Sequence, residues 1–209
     1  MLSNYDNSEI KKAKQQLREE IWRKMEELGI VRFPGAYGRI PNFVGAEKAA
    51  ESVRGLREWK RAKVIVANPD FAQKKIREFV LKDNKILIMA SPGLKHGYLK
   101  VDPQKVKGRE DFASTIAGAF KFGDKLKELP KPDLIVTGCV AVEKNSFYRV
   151  GKGGGYGDRE ITGIGQKFGK IPVITTVHDV QVVDKVPIEA HDTKVDIIVT
   201  PTKIIRSAS

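Results

Sequence analysis

The stretch Arg149-Val150-Gly151-Lys152-Gly153-Gly154-Gly155-Tyr156-Gly157-Asp158-Arg159 sets five glycines and three cations within eleven residues. Glycine has no Cβ to hold a ligand away from the backbone and reaches positive φ freely, so successive N–H groups can turn toward one anion. Arg149 and Lys152 would complement phosphate oxygens, and Asp158, an acid among cations, is the residue type that coordinates a nucleotide's magnesium. Asp158 also falls where a helix is expected to begin, so an N-cap is its alternative role. Neither G-x-x-x-x-G-K-[ST] nor G-x-G-x-x-G fits, because Tyr156 stands at the last glycine position of the second pattern counted from Gly151. A hairpin connection without a ligand is the competing reading. His96, His178 and His191 show no metal-ligand spacing with one another or with Cys139, which argues against a zinc site.

The elements that must position this loop alternate between helix and strand patterns. Ile10, Ala13, Leu17, Ile21, Met25 and Leu28 recur at helical spacing ahead of Gly29, predicting an amphipathic helix over 8–28. Residues 29–45 carry Pro34, Pro41 and aromatic Phe33, Tyr37 and Phe43, and read as a long ordered loop. Helices are predicted over 46–59, 70–82 and 110–120, and aliphatic strands over 63–67, 85–90, 133–138, 171–177 and 195–200. This alternation predicts βαβ units around a parallel sheet of at least five strands. Segment 91–97 and the pair His178-Asp179 each follow a strand, where open sheets gather ligands. Pro92 and Gly93 favour a plain turn over a pocket wall at the first, and a structural hydrogen bond suits His178 at least as well as a ligand.

Composition narrows the setting. The chain has 209 residues, 41% hydrophobic and 31% charged, so one globular domain over 1–209 is expected. No apolar run approaches the roughly 20 residues of a membrane helix, no signal-peptide pattern opens the chain, and the single Cys139 cannot form an internal disulfide. A cytoplasmic location and no membrane partner are the expectation. The net charge of +12 favours polyanions, nucleotide phosphate and non-specific nucleic acid among them.

The glycine loop resembles the Arg-Leu-Gly-x-Gly-x-Gly-Tyr-Tyr-Asp signature of 5-formyltetrahydrofolate cyclo-ligases, also called methenyltetrahydrofolate synthetases. Two further stretches are similar to that family in the same order: Lys14-Gln15-Gln16-Leu17-Arg18 near the start, and Pro187-Ile188-Glu189-Ala190-His191-Asp192 before the last predicted strand. Arg39-Ile40-Pro41-Asn42-Phe43 and Val177-His178-Asp179-Val180-Gln181-Val182-Val183 look closer still to a subgroup, the methenyltetrahydrofolate synthetase domain-containing proteins.

The resemblance implies a three-layer α/β fold, a mainly parallel sheet with helices on both faces, similar to the ribose-phosphate isomerase and CoA-transferase group. It implies an ATP- and magnesium-dependent closure of 5-formyltetrahydrofolate to 5,10-methenyltetrahydrofolate, with ADP and phosphate released. Carried over by position, Lys14 and Arg18 match nucleotide contacts, and Arg149, Gly151, Lys152, Gly153, Gly154, Gly155 and Tyr156 the phosphate loop. Asp158 and Asp192 match magnesium positions. Lys152 and Tyr156 are the residues expected to act in the reaction, Tyr156 against a reduced folate or related pterin. Two positions depart from the pattern: Gly157 replaces a second tyrosine, and Asn68-Pro69-Asp70-Phe71 stands where the family carries a folate-contacting glutamate loop. Two other readings follow: a nucleotide- or RNA-binding protein that retains the fold without ligase activity, or an ATP-using enzyme with a non-folate substrate.

Overall fold

The computed structural model describes residues 4–208. Helix α1 (Asn4–Glu27) buries Ile21, Trp22 and Met25, while Leu28, just past its end, is exposed. The predicted helix over 46–59 is two, α2 (Ala46–Gly55) and α3 (Arg57–Arg61), broken where Leu56 turns extended. Strand β1 (Val64–Ala67) follows, then a 3-10 turn (Phe71–Gln73) leading into α4 (Lys74–Lys82), so only the later part of 70–82 is α-helical. Next come β2 (Ile86–Ala90) and β3 (Tyr98–Val101). The helix predicted over 110–120 is also split, into α5 (Glu110–Ala113) and α6 (Ile116–Phe122), and the Thr115 side chain caps the second by accepting from Gly118 N–H. The chain continues through β4 (Asp124–Lys125), β5 (Leu134–Thr137), β6 (Ala141–Glu143) and β7 (Arg149–Val150). Helix α7 (Tyr156–Phe168), β8 (Val173–Thr176), β9 (Val182–Val183), β10 (Ile197–Val199) and β11 (Ile204–Arg206) complete it.

All five predicted strands are present and form the parallel centre of an eight-stranded sheet, in the spatial order β10-β8-β5-β1-β2. Their sequences, such as VIVA in β1 and ILIMA in β2, are apolar without alternation because both faces of the sheet are covered. Strands β11 on one edge and β3 with β4 on the other run antiparallel. A separate three-stranded sheet, β7-β6-β9, was not anticipated.

Alternate strand residues serve two cores. Ile65, Leu87, Leu134 and Ile174 pack with Met25, Val53, Trp59 and Ile76 from α1 to α4. Val66, Ile88, Ile135 and Ile198 pack with Ile164 of α7 and with Val142 and Phe147 around the small sheet. One face is therefore covered by helices α1 to α4 and the other by α7 with the small sheet. Among the described residues, no helix is long and apolar enough to cross a membrane.

Candidate active site

Within the parallel strands, the connection from β1 leads outward to β2, whereas β5, β8 and β10 lie on the other side of β1. Such a reversal opens a crevice beyond the carboxyl ends of the strands, here between β1 and β5. Asn68 to Phe71 after β1, Ser91 to Leu94 after β2 and Gly138 after β5 line a cavity of about 300 Å³ there. Segment 91–97 is thus both the expected turn, with Ser91 N–H donating to Gly97 O at 2.9 Å, and part of the wall. The glycine loop and the first turn of α7 form the opposite wall.

Geometry requires glycine at several positions here, and two of them shape the site directly. Gly155 precedes α7 with φ 66, in the N-cap position. Asp158 is accordingly not the cap; it lies inside the first turn. A Cβ on Gly157 would come within 2.7 Å of Arg149 Nη2, so the small residue makes room for the guanidinium.

Strand β7, paired to β6, carries Arg149 beneath the loop, where the side chain is buried. Its Nη2 donates to Asp158 Oδ1 at 3.2 Å and to Thr193 Oγ1 at 3.4 Å, and its Nε is buried with no partner. Asp158 Oδ1 also accepts from Thr193 N–H at 3.0 Å and Thr193 Oγ1 at 2.7 Å. Asp158 Oδ2 has no hydrogen-bond partner among the described residues, and the residue lines the cavity. Lys152 is largely exposed, its Nζ 3.9 Å from Asp70 Oδ1 across the cavity. Tyr156 stands exposed at the rim, with the Arg159 guanidinium 4.7 Å over its ring.

Of the residues singled out from the sequence, Arg149, Gly151, Lys152, Gly154, Gly155, Tyr156 and Asp158 line the cavity. Gly153, Lys14, Arg18 and Asp192 do not. Arg18 Nε donates to Gly151 O at 2.7 Å, so it holds the loop backbone from outside, and burial lowers its pKa against the opposing charges of Glu189 and Asp192. Buried Lys14 donates to Glu189 Oε2 at 2.7 Å and to Asp192 Oδ1 and Oδ2 at 2.7 and 2.6 Å. Asp192 Oδ2 further accepts from Glu189 N–H at 2.7 Å. Asp192 is thus paired with the Lys14 ammonium in this structure. Ligand atoms of Glu189, His191 and Asp192 lie within 4.8 Å of one another, but the Lys14 ammonium already serves the two carboxylates.

Sequence reasoning passed over Glu160. It is 7% exposed, lines the cavity, and its Oε1 has no hydrogen-bond partner. Burial pushes its carboxyl up to about 7, aided by the nearby charge of Asp70 and opposed by the Tyr98 hydroxyl and Arg149. The same proximity, with burial, drives the Tyr98 phenol upward. Asp70 is also raised by burial, with Lys152 and Arg77 opposing. Arg77 itself is buried and drawn down to about 10 by desolvation; its Nη1 donates to Asn68 O at 2.5 Å and Asp70 O at 2.8 Å, fixing the wall after β1. The one available signal for Glu160 was its place four residues before Ile164 and eight before Phe168, on the apolar stripe of α7.

Other candidates have structural partners. His178 Nδ1 accepts from Val180 N–H at 3.1 Å while Gln181 Oε1 accepts from His178 N–H at 2.7 Å, a reciprocal cap of the turn Asp179–Gln181. Cys139 is buried, 3.5 Å from Thr175 Oγ1.

Comparison with known proteins places these motifs in context. Residues 10–201 match the model of the 5-formyltetrahydrofolate cyclo-ligase family. Methenyltetrahydrofolate synthase domain-containing proteins of Bos taurus and Homo sapiens are 39% and 35% identical over 204 and 205 residues, each covering 92% of this chain. The chain spans about half the length of these curated relatives, 53% in both cases. The fold is similar to 5,10-methenyltetrahydrofolate synthetases of Aquifex aeolicus (TM-score 0.59, 22% identity, 94% of this chain and 93% of that one) and Mycoplasma pneumoniae (TM-score 0.55, 16% identity, 90% and 98%).

Proposed function

The chain belongs to the 5-formyltetrahydrofolate cyclo-ligase family, and from that premise we propose that it closes 5-formyltetrahydrofolate to 5,10-methenyltetrahydrofolate, using ATP and magnesium and releasing ADP and phosphate. The observation that carries this reading is one cavity at the sheet's switch point, with Arg149, Lys152, Asp158 and Glu160 on the side of the glycine loop and α7 and with Asn68 and Asp70 facing them. The cations suit phosphates, and the acceptors Asn68, Asp70 and Glu160 suit a ligand rich in N–H groups.

The reaction asks the protein for positioning and charge neutralisation more than for a nucleophile. The formyl oxygen attacks the γ-phosphorus and ADP leaves; the neighbouring amine then closes the ring on the imidate carbon and phosphate departs. Loop amides and Arg149 would hold the phosphates, with Arg149 fixed in place by Asp158 Oδ1 and Thr193. Lys152, exposed and 3.9 Å from Asp70 Oδ1, would meet the charge of the γ-phosphoryl group. Tyr156 at the rim would pack against the folate. Asp158, through its Oδ2, would hold magnesium, and the ion would supply further charge neutralisation there. Asp192 is assigned a different task, holding Lys14 while Arg18 braces Gly151. The lone buried Cys139 agrees with a reducing, cytoplasmic setting.

Gly157 favours a second reading, an ATP-using enzyme with another acceptor, because Arg149 fills the space beside it and the usual second tyrosine is missing. The deciding experiment follows the methenyl absorbance when the purified protein meets 5-formyltetrahydrofolate, magnesium and ATP, with Asp158→Ala as control. ATP-dependent product that disappears in the control supports the cyclo-ligase. ATP binding without product moves the assignment to the other acceptor or to binding alone.

A further inference from the structure

We propose that Glu160 is a specificity-determining residue of this cavity, accepting hydrogen bonds from the N–H and amino group of the cyclic guanidine edge of a 2-amino-4-oxopteridine. This rests on the folate reading above and names the group that would recognise the ring.

Three buried polar atoms in the cavity's lining residues lack partners among the described residues: Arg149 Nε, Asn68 Oδ1 and Glu160 Oε1. Buried polar groups are normally satisfied, so orphans gathered on one cavity point to a ligand that completes them. Two of the three, Asn68 Oδ1 and Glu160 Oε1, are acceptors, so only a ligand that donates hydrogen bonds completes them. A phosphate or a ligand carboxylate offers no donor, whereas a ring edge carrying adjacent N–H groups does.

A carboxylate matches such an edge well, since its two oxygens accept two parallel N–H bonds, as they do from a guanidinium. Adenine offers an amino donor beside a ring acceptor, a pattern that an amide side chain answers and a carboxylate does not. Ile40, Leu94 and Ile116 supply apolar surface in the same cavity for a flat ring. Position matters as well. Glu160 lies two residues beyond Asp158, so one turn of α7 would present both a magnesium-side carboxylate and a ring-side carboxyl. The glutamate expected in the loop after β1, where Asp70 stands, would then have its counterpart on α7.

Isothermal calorimetry without turnover tests this, using 5-formyltetrahydrofolate alone, its 2-desamino-2-methyl analogue alone, and ATP with magnesium alone, on the wild type and on Glu160→Gln. The wild type should bind the analogue about tenfold or more weakly than the parent, the scale of a charge-assisted hydrogen bond. Glu160→Gln should lose a similar factor for the parent, stop discriminating between the two, and keep its ATP affinity. The wild-type comparison needs no variant, so poor folding of Glu160→Gln would not decide the matter. Equal binding of parent and analogue by the wild type, or loss of ATP affinity in place of folate affinity in the variant, overturns the assignment while leaving the cyclo-ligase reading intact. A wild type that binds ATP but no reduced folate overturns both.

Discussion

Replacing Glu160 by Gln should stabilise the unliganded protein, and the gain should depend on pH in a defined direction. Burial raises this carboxyl from its ordinary 4.5 to about 7. Below 4.5 the group is protonated in both folded and unfolded chains and makes no difference. Between 4.5 and 7 the unfolded chain releases its proton while the folded one retains it, so folding becomes less favourable as pH rises; above 7 the penalty is constant. At about 1.4 kcal/mol per tenfold change, the full penalty is about 3 kcal/mol near pH 8, and less than about 1 kcal/mol near pH 5. For a chain of this size that corresponds to a Tm gain of roughly 6–12 °C for the variant near pH 8. The groups facing Glu160 are Arg149 from β7, Tyr98 from β3 and Asp70 after β1, and all remain in the variant. The difference between the two proteins therefore isolates Glu160. Thermal unfolding in metal-free buffer at both pH values reads it directly. A Tm difference that is the same at both, or larger at the acidic one, refutes the reasoning.

Lys152→Ala should remove ligase turnover with little change in Tm, because the side chain is largely exposed and its one ion-pair contact is long; paired activity and melting measurements check this. Lys14→Met leaves two buried carboxylates without their cation and should cost roughly 3–5 kcal/mol in urea unfolding. Gly157→Ala places a methyl 2.7 Å from Arg149 Nη2. It should lower stability by about 1–3 kcal/mol and weaken ATP binding by calorimetry, as the guanidinium is pushed aside. The Cys139 thiol, pushed up to about 11 by burial, should resist iodoacetamide in the native protein and react only on unfolding, as mass spectrometry would show.

The central strands were legible because β1, β2, β5, β8 and β10 are short aliphatic runs, rich in β-branched residues and buried on both faces. Strands β4, β7 and β9 are two residues long, held by pairing that no local pattern announces. The break between α5 and α6 was hidden as well. Thr115 turns extended between them and caps α6, and the turn brings Gly118 so close to the Phe112 carbonyl that a Cβ there would lie 1.9 Å away. In the site, the glycine loop was plain from its glycines and cations, and its expected ligand-binding residues other than Gly153 line the cavity. Two carboxylates were harder. Asp192 was visible in its motif, but only the fold reveals that its oxygens face Lys14. Glu160 reads like any solvated glutamate on a helix unless its spacing to Ile164 and Phe168 is weighed.

The brace formed by Lys14 has a consequence for how the chain is made. Its partners Glu189 and Asp192 lie 175 and 178 residues further along, so α1 leaves the ribosome long before anything exists to receive its ammonium. The neighbouring Arg18 grips Gly151, again 133 residues away. Such distant closures are the slow ones in folding. During synthesis the nascent chain is expected to carry a nearly complete sheet centre while its glycine loop waits, unbraced, for residues 187–192 to emerge. Under the proposed function, nucleotide affinity would arise abruptly only after that point, and a ribosome-stalled chain ending before residue 187 should fail to retain ATP.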